Sequence, residues 1–556
     1  MRGLLVAGTT SDAGKTVVTT AICRAFARRG VSVAPFKSQN MSNNSMVVRA
    51  EADPSRLVVP PRTSGPGGSP PPEVSPSRLV VPPRTSGPGG FPPLEVRGTS
   101  LERGTETTGL HGEIGRAQWI QAVAAGAAPE AAMNPVLLKP GSDHTSHVVV
   151  MGRPAGTLGA RSFVDGGRAH LAEAAFAALD DLASRYDVIV AEGAGSPTEI
   201  NLRANDYVNM GLARHASLPT VVVGDIDRGG VFAALFGTVA LLEGADQDLV
   251  AGFVMNKFRG DVSLLAPGIE RLAELSGRPT LGVLPWHPDV WLDSEDALDL
   301  EGRRAGDREA ALRVAVVRLP RISNFTDVDA LGIEPEIDLV FASQPHHLDG
   351  ADLVVLPGTR ATMGDLAWLR ERGLADAIAK HAASGRAVLG ICGGFQMLGR
   401  LVVDPDGVEG PAGAEVAGLG LLDVRTDFGA DKVLRLPTGE ALGHAAAGYE
   451  IHHGRITRGA DVEDFLAGGR EGNVFGTMWH GSLESDEFRR ALLAEVASAA
   501  GRPAPTAEVS FAERREARLD LLGELAEQHL DVDRLLELAT SGPPRGLRRL
   551  APGAEQ

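Results

Sequence analysis

Leu4-Leu5-Val6-Ala7-Gly8-Thr9-Thr10-Ser11-Asp12-Ala13-Gly14-Lys15-Thr16 decides the fold. An apolar run ends in a glycine, a second glycine follows after five residues, and Lys-Thr leads into a helix-like stretch, VVTTAICRAF. In such a strand–loop–helix unit the glycines let the backbone curl until its amides face an anion. The helix N-terminus adds a favourable partial charge. Lys15 is expected at the terminal phosphates of a nucleotide and the Thr16 hydroxyl on magnesium, with Gly8, Thr9, Asp12 and Gly14 forming the loop. The spacing is one residue longer than the usual phosphate loop. The competing reading, a glycine-rich turn with an exposed lysine, leaves the coincidence of strand, Gly-Lys-Thr and helix unexplained.

Outward from this loop, short apolar runs alternate with alanine-rich amphipathic stretches: VAPFK from Val33, VIVAEGAG from Val188, TVVVGDID from Thr220 and GFVMNK from Gly252. Continuous apolar runs of this length predict parallel strands buried on both faces and joined by crossover helices. After a charged, strand-poor segment around 300–312, the rhythm resumes with RVAVVRLP, DLVVLPG, AVLGICGG and NVFGTMWHG. The fold class is therefore α/β, as two doubly wound parallel-sheet domains. The expected boundaries are 1–305 and 312–500, followed by a helical tail at 501–556 whose last residues fray.

One segment breaks the pattern. PSRLVVPPRTSGPGG at 54–68 recurs letter for letter at 76–90. It is rich in proline and glycine, has no periodic apolar face, and two copies cannot build a solenoid. An insertion with limits near 48–108, disordered and looping from the first domain, is expected.

Composition excludes several functions. The 556 residues carry a formal charge of −17, which gives no reason to expect nucleic-acid binding. No run of about 18 apolar residues suggests a membrane span, and the N-terminus lacks a signal-peptide pattern, so the cytoplasm is expected. Two cysteines, Cys23 and Cys392, make no disulfide framework.

A nucleotide site needs a carboxylate for the metal at a neighbouring strand end. Glu192, straight after four apolar strand residues, is placed for that role. Asp225 and Asp227 in VVVGDIDRGG are second candidates, with turn formation or capping as their alternative. In the second half, AVLGICGGFQMLG sets Cys392 between a buried strand and a helix. Helix amides, Gly393 first among them, then face the sulfur, favouring a thiolate and a tetrahedral oxyanion. A buried structural cysteine is the alternative, and it is the reading for Cys23. The base for Cys392 is expected to be His480 in TMWHG, with His452 and His453 as competitors or pocket-forming residues.

The GTTSDAGKT loop, EGAG at 192–195 and the Asn256-Lys257 pair resemble the dethiobiotin synthetase-type ATPases, which implies a nucleotide-side role for Asn256. GICGG and TMWHG resemble the nucleophile and histidine motifs of class I glutamine amidotransferases. By the same resemblance LPGT at 356–359 completes the oxyanion hole through the Gly358 and Thr359 amides. Lys37-Ser-Gln-Asn-Met-Ser-Asn-Asn-Ser45, GEIGRAQ at 112–118, Asn134-Pro-Val-Leu-Leu-Lys-Pro140 and GDIDRGGVFA are similar to the cobyric acid synthase family over nearly the whole chain except the insertion. The resemblance implies ATP and Mg2+, L-glutamine as nitrogen donor, and a corrinoid substrate, adenosylcobyrinic acid a,c-diamide, held by residues such as Lys37, Asn40 and Asn43. It implies neither nucleic-acid nor membrane partners and leaves a homo-oligomer open. The glutamate that usually orients the histidine is replaced by Ser482, as in that family, so a Cys392–His480 dyad is expected, with Glu484 a weak substitute. The rival functions are the earlier a,c-diamidation, against which NMSNNS and GDIDRGG speak, and a non-catalytic nucleotide switch, for which a glutaminase site would be superfluous.

Overall fold

The computed structural model describes residues 1–49, 111–142, 145–159, 169–290 and 311–553. Almost all of the expected insertion at 48–108 and most of the linker at 300–312 lie outside the described residues.

In chain order the first half contains β1 (Gly3–Gly8), α1 (Lys15–Arg28), β2 (Val33–Phe36), β3 (Gln39–Met41), β4 (Ser45–Arg49), β5 (His111–Gly115), α2 (Arg116–Ala124), β6 (Val136–Ser142), β7 (Thr145–Val150), β8 (Arg153–Gly159), β9 (Val188–Glu192), β10 (Thr220–Asp225), β11 (Val250–Phe258) and β12 (Thr280–Pro285). Six strands form one sheet in the order β12-β11-β10-β1-β9-β2, and every pairing in it is parallel. The cores of its strands are apolar because helices cover both faces, and the polar residues Glu192, Asp225 and Asn256 come at or near strand ends. Leu4 and Val6 pack toward α1, while Leu5 faces Leu179, Leu235 and Phe253 on the other side. β1 and β9 pair with Val6 opposite Glu192, which brings the phosphate loop beside the EGAG turn.

A smaller sheet, β3-β6-β7-β8, and the antiparallel pair β4–β5 extend this half toward the second. The sequence pattern did not mark them as separate units, since their strands carry mixed polar and apolar residues rather than continuous apolar runs. β4 and β5 pair from Ser45 with Gly115 to Arg49 with His111. Residues 50–110 therefore connect two adjacent strand ends. Loop-closure entropy changes slowly with length, so replacing 50–107 by a short Gly-Ser bridge is expected to shift the thermal midpoint by less than about 2 °C and to leave both activities near the parent's. Differential scanning calorimetry and steady-state kinetics check this. A loss of several degrees would show that the segment packs as structure.

The second half contains β13 (Leu312–Val317), β14 (Ile337–Ala342), β15 (Leu353–Leu356), β16 (Ala387–Ile391), α3 (Gly393–Leu398), β17 (Val424–Arg435), β18 (Glu450–Arg458) and β19 (Val474–Thr477). β14-β13-β15-β16-β19 is parallel, and two antiparallel strands complete its edge. β17 and β18 pair antiparallel outside it. Met46 and Val47 of β4 pack on Tyr449 and Ile451, so the halves share a small apolar contact.

The tail is built into the fold. α4 (Phe511–His529) starts in the second half's core through Phe511, then lays Leu519, Leu522 and Ala526 against α1. Arg24 and Arg28 of α1, and Arg29 just after it, pair with Glu516, Asp520 and Glu527 of α4. α5 (Val532–Ser541) follows on the same face. The expected fraying is corrected: Gln247 exchanges hydrogen bonds with the Leu550 backbone at 2.7 and 2.9 Å, and the Leu550 side chain is buried. A polar, proline-rich segment docks because a buried amide and an apolar slot accept it. Among the described residues no helix is long and apolar enough to cross a membrane.

Candidate active site

The phosphate loop closes as its glycines require. Gly14 has φ +89, and a Cβ there would strike the Asn256 amide nitrogen, which itself donates to the Ala13 carbonyl at 3.1 Å. Asn256 thus braces the loop from the neighbouring strand end. Thr9 joins the sheet through the Val223 carbonyl, and Asp12, exposed, pairs with Arg228. Lys15 is buried, with its Nζ 2.9 Å from the Thr10 carbonyl and 3.0 Å from that of Gly195. Loop carbonyls therefore hold the ammonium over the loop.

Glu192 is the hub of this site. Its Oε1 accepts from Thr16 Oγ1 and from Lys37 Nζ, each at 2.9 Å, and Oε2 accepts from Gln121 Nε2 at 2.6 Å. Burial opposes ionisation, but Lys37, Gln121 and Lys15 hold the carboxyl below its ordinary range. Mg2+ commonly takes one or two protein oxygens together with phosphate oxygens and water, and Thr16 with Glu192 offers that set. Asp225 turns elsewhere: it bonds Lys257 Nζ at 2.8 Å and accepts from the Asp227 amide at 2.9 Å, the turn arrangement weighed above. Beside the loop opens a cleft of about 360 Å3 lined by Lys15, Lys37, Gln39, Asn40, Tyr207 and Asn209 among others. Gln121, Tyr207 and Asn209 were not singled out from sequence; each is a common polar residue with no motif around it.

At the second centre Cys392 follows β16 at φ +49, a strained turn that presents the side chain at the start of α3. The following glycines are required by contact. A Cβ on Gly394 would overlap the Leu356 carbonyl, and one on Gly393 would press on Thr359. Gly393 and Thr359 therefore adjoin, while Gly358 lies against the His480 ring. His480 is buried and stacks on Tyr449 with ring centroids 5.3 Å apart. Burial would depress its pKa, yet Asp327 and Cys392 push it up to about 10. His452 and His453 are driven down to about 3 and 4, chiefly by burial, and their Nδ1 atoms face the carbonyls of Gly454 and Gly429.

The expectation of a bare Cys–His dyad is corrected. Asp327 Oδ2 lies 2.7 Å from His480 Nδ1, and its Oδ1 accepts from the Gly481 amide at 2.8 Å. Glu484 instead accepts from Arg116 at 2.9 Å and Arg515 at 2.5 Å. Asp327 follows Asn324, a residue in the left-handed region, on a turn far upstream, so no spacing rule connects it to His480. Replacing it tests its part. Asp327→Asn is expected to lower glutaminase kcat/KM by about 10²–10⁴, the range for removing a carboxylate that orients a catalytic histidine. Because the carboxylate raises His480, the variant's imidazolium deprotonates at lower pH, so the alkaline limb of kcat/KM should move toward neutrality. A pH–rate profile checks both; an unshifted limb with lower kcat would mean a structural role only.

The proposed substrate residues separate. Lys37 and Asn40 line the cleft by the phosphate loop, whereas Asn43 lines the narrow cleft beside Cys392. Strand β3 and the turn after it thus run from one centre to the other. Ser45 takes the Asn324 side chain at 2.8 Å through its amide, close to the turn that carries Asp327.

Comparison with known proteins agrees with this two-centre arrangement. Residues 4–299 match the CobQ/CobB/MinD/ParA nucleotide binding domain and residues 313–488 the CobB/CobQ-like glutamine amidotransferase domain. The cobyric acid synthase of Mycolicibacterium gilvum is 62% identical over 554 residues, with 100% of both chains covered. Those of Mycobacterium marinum and Mycobacterium tuberculosis are 61% and 62% identical, again with 100% of each chain covered.

Proposed function

The chain belongs to the cobyric acid synthase family, and on that premise we propose that it amidates the b, d, e and g carboxylates of adenosylcobyrinic acid a,c-diamide with ATP and glutamine. The observation that carries this reading is the pairing, within one chain, of a lysine-bearing phosphate loop with a buried Cys392–His480–Asp327 constellation.

The Cys392 thiolate attacks the glutamine side-chain amide, and the amides of Gly358, Thr359 and Gly393 receive the oxyanion. His480 protonates the departing nitrogen, which leaves as ammonia, and water then hydrolyses the thioester to glutamate. At the first centre an unactivated carboxylate is too poor an electrophile for ammonia. The terminal phosphoryl group of ATP passes to the carboxylate, giving an acyl phosphate and ADP. Ammonia displaces phosphate and leaves the amide. Lys15 and the loop amides hold the phosphates in line, and Lys37 and Asn40 face the acceptor. Thr16 and Glu192 would hold Mg2+, which neutralises phosphate charge when bound.

Incubation with cobyrinic acid a,c-diamide, ATP and glutamine tests this by product mass. Four successive amidations support the reading. Conversion of cobyrinic acid that stops at the diamide would favour the earlier step, and glutaminase activity without any corrinoid product would refute the assigned substrate.

A further inference from the structure

The cleft beside Cys392 is lined from both halves of the chain. Arg360, Gln396, Glu409 and His452 come from the second half, Asn43 and Lys139 from the first. Behind the lining residue Lys139, Lys432 shares with it a single carboxylate, Glu113, and all three are almost wholly buried, with Arg360 nearby. This cluster holds a buried excess of positive charge. Burial pushes Lys139 down to about 7, Lys432 and Arg360 adding to the effect while Glu113 resists it. Glu409, also in the lining, accepts from the Thr362 amide at 2.8 Å and from its hydroxyl at 3.1 Å, and Thr362 also reaches Gln396, one turn beyond Cys392. Burial raises Glu409 to about 7 despite Arg360.

Three polar atoms lining the cleft are buried without a hydrogen-bond partner among the described residues: Arg360 Nε, Asn43 Oδ1 and His452 Nε2. His452 is neutral and turns Nδ1 to a carbonyl, so Nδ1 donates and Nε2 is an acceptor. The cleft thus gathers cationic donors, acceptors and a carboxyl group next to a nucleophile, with Arg360 acting on both Lys139 and Glu409. Buried polar groups are rarely left unpaired, and a ligand is one way to pair them.

We propose that the synthetase half completes the glutamine site: Lys139, with Arg360, receives the α-carboxylate, and Asn43 Oδ1, with Glu409, receives the α-ammonium. This rests on the glutaminase reading above. It assigns Asn43 to glutamine rather than to the corrinoid. It also ties the two centres, because Lys139 directly follows Leu138, the register partner of Met41 in β3, and Met41 lines the other cleft.

The test uses the whole protein and alkylation of Cys392 by iodoacetamide, with protection by L-glutamine, by glutaramic acid, which lacks the amine, and by 4-aminobutanamide, which lacks the carboxylate. Each truncated analogue is expected to protect at least about tenfold less well than glutamine, the loss of one charge-assisted hydrogen bond. Lys139→Gln should weaken glutamine protection at least about tenfold and leave that by 4-aminobutanamide unaltered. Equal weakening of both ligands, or of neither, overturns the proposal. Should that variant fail to fold, Asn43→Ala carries the test: glutamine and 4-aminobutanamide should weaken while glutaramic acid does not, and any other pattern overturns the assignment. If glutamine gives the parent no protection at all, the glutaminase reading itself falls, and this proposal with it.

Discussion

Lys15→Ala is expected to lose amide synthesis with glutamine and with ammonia alike, by a factor on the order of 10³ in kcat/KM, comparable to removing a preorganised donor that meets developing charge. Lys15 is buried and held over the loop by the carbonyls of Thr10, Ser11 and Gly195. Those carbonyls orient the ammonium over the loop, at the place where the terminal phosphates of a nucleotide are expected. Both nitrogen sources depend on the same acyl phosphate, hence the common loss. Glutaminase turnover at Cys392 should persist in the variant. Synthesis measured with each donor, alongside glutamate release, separates the outcomes, and near-parental synthesis would make the loop merely structural.

Cys392→Ser should show the opposite division. Glutamine-dependent synthesis is expected to fall by at least about 10⁴, the scale seen when a covalent nucleophile is removed, while synthesis with added ammonia survives. The geometry supports the asymmetry. Cys392 lies on the turn after β16, opposed by a histidine that Asp327 and the sulfur keep protonated, whereas the carboxylate-activating groups cluster around Glu192. A serine hydroxyl at that turn is a much weaker nucleophile, because its proton is far harder to remove than a thiol's. Failure of ammonia to rescue synthesis would show that the two centres are not chemically separate.

The sequence alone determined whatever depends on a strand, a tight turn and the helix after it. Leu4 to Thr16 and Ala387 to Leu398 are short enough that apolar runs, glycines and the nucleophile or lysine between them dictate geometry locally. The parallel α/β class followed from the same runs, and Glu192 from its place at a strand end. Tertiary structure decided what needs residues distant in the chain to meet. Asp327 reaches His480 across 153 positions, and Gln121 reaches Glu192 across 71, with no periodicity to announce either. Asn43 sits one short turn beyond Asn40 yet faces the other centre, because the chain passes from β3 into β4 at the interface between the halves. The balance of Lys139, Lys432 and Glu113 is likewise invisible in composition. A net charge of −17 describes the chain as a whole, whereas this buried excess of cation arises where β5, β6 and β17 converge and water is excluded. The tail took its place for a similar reason: α4 is amphipathic in sequence, but only the packed α1 face shows what its apolar and acidic sides are for.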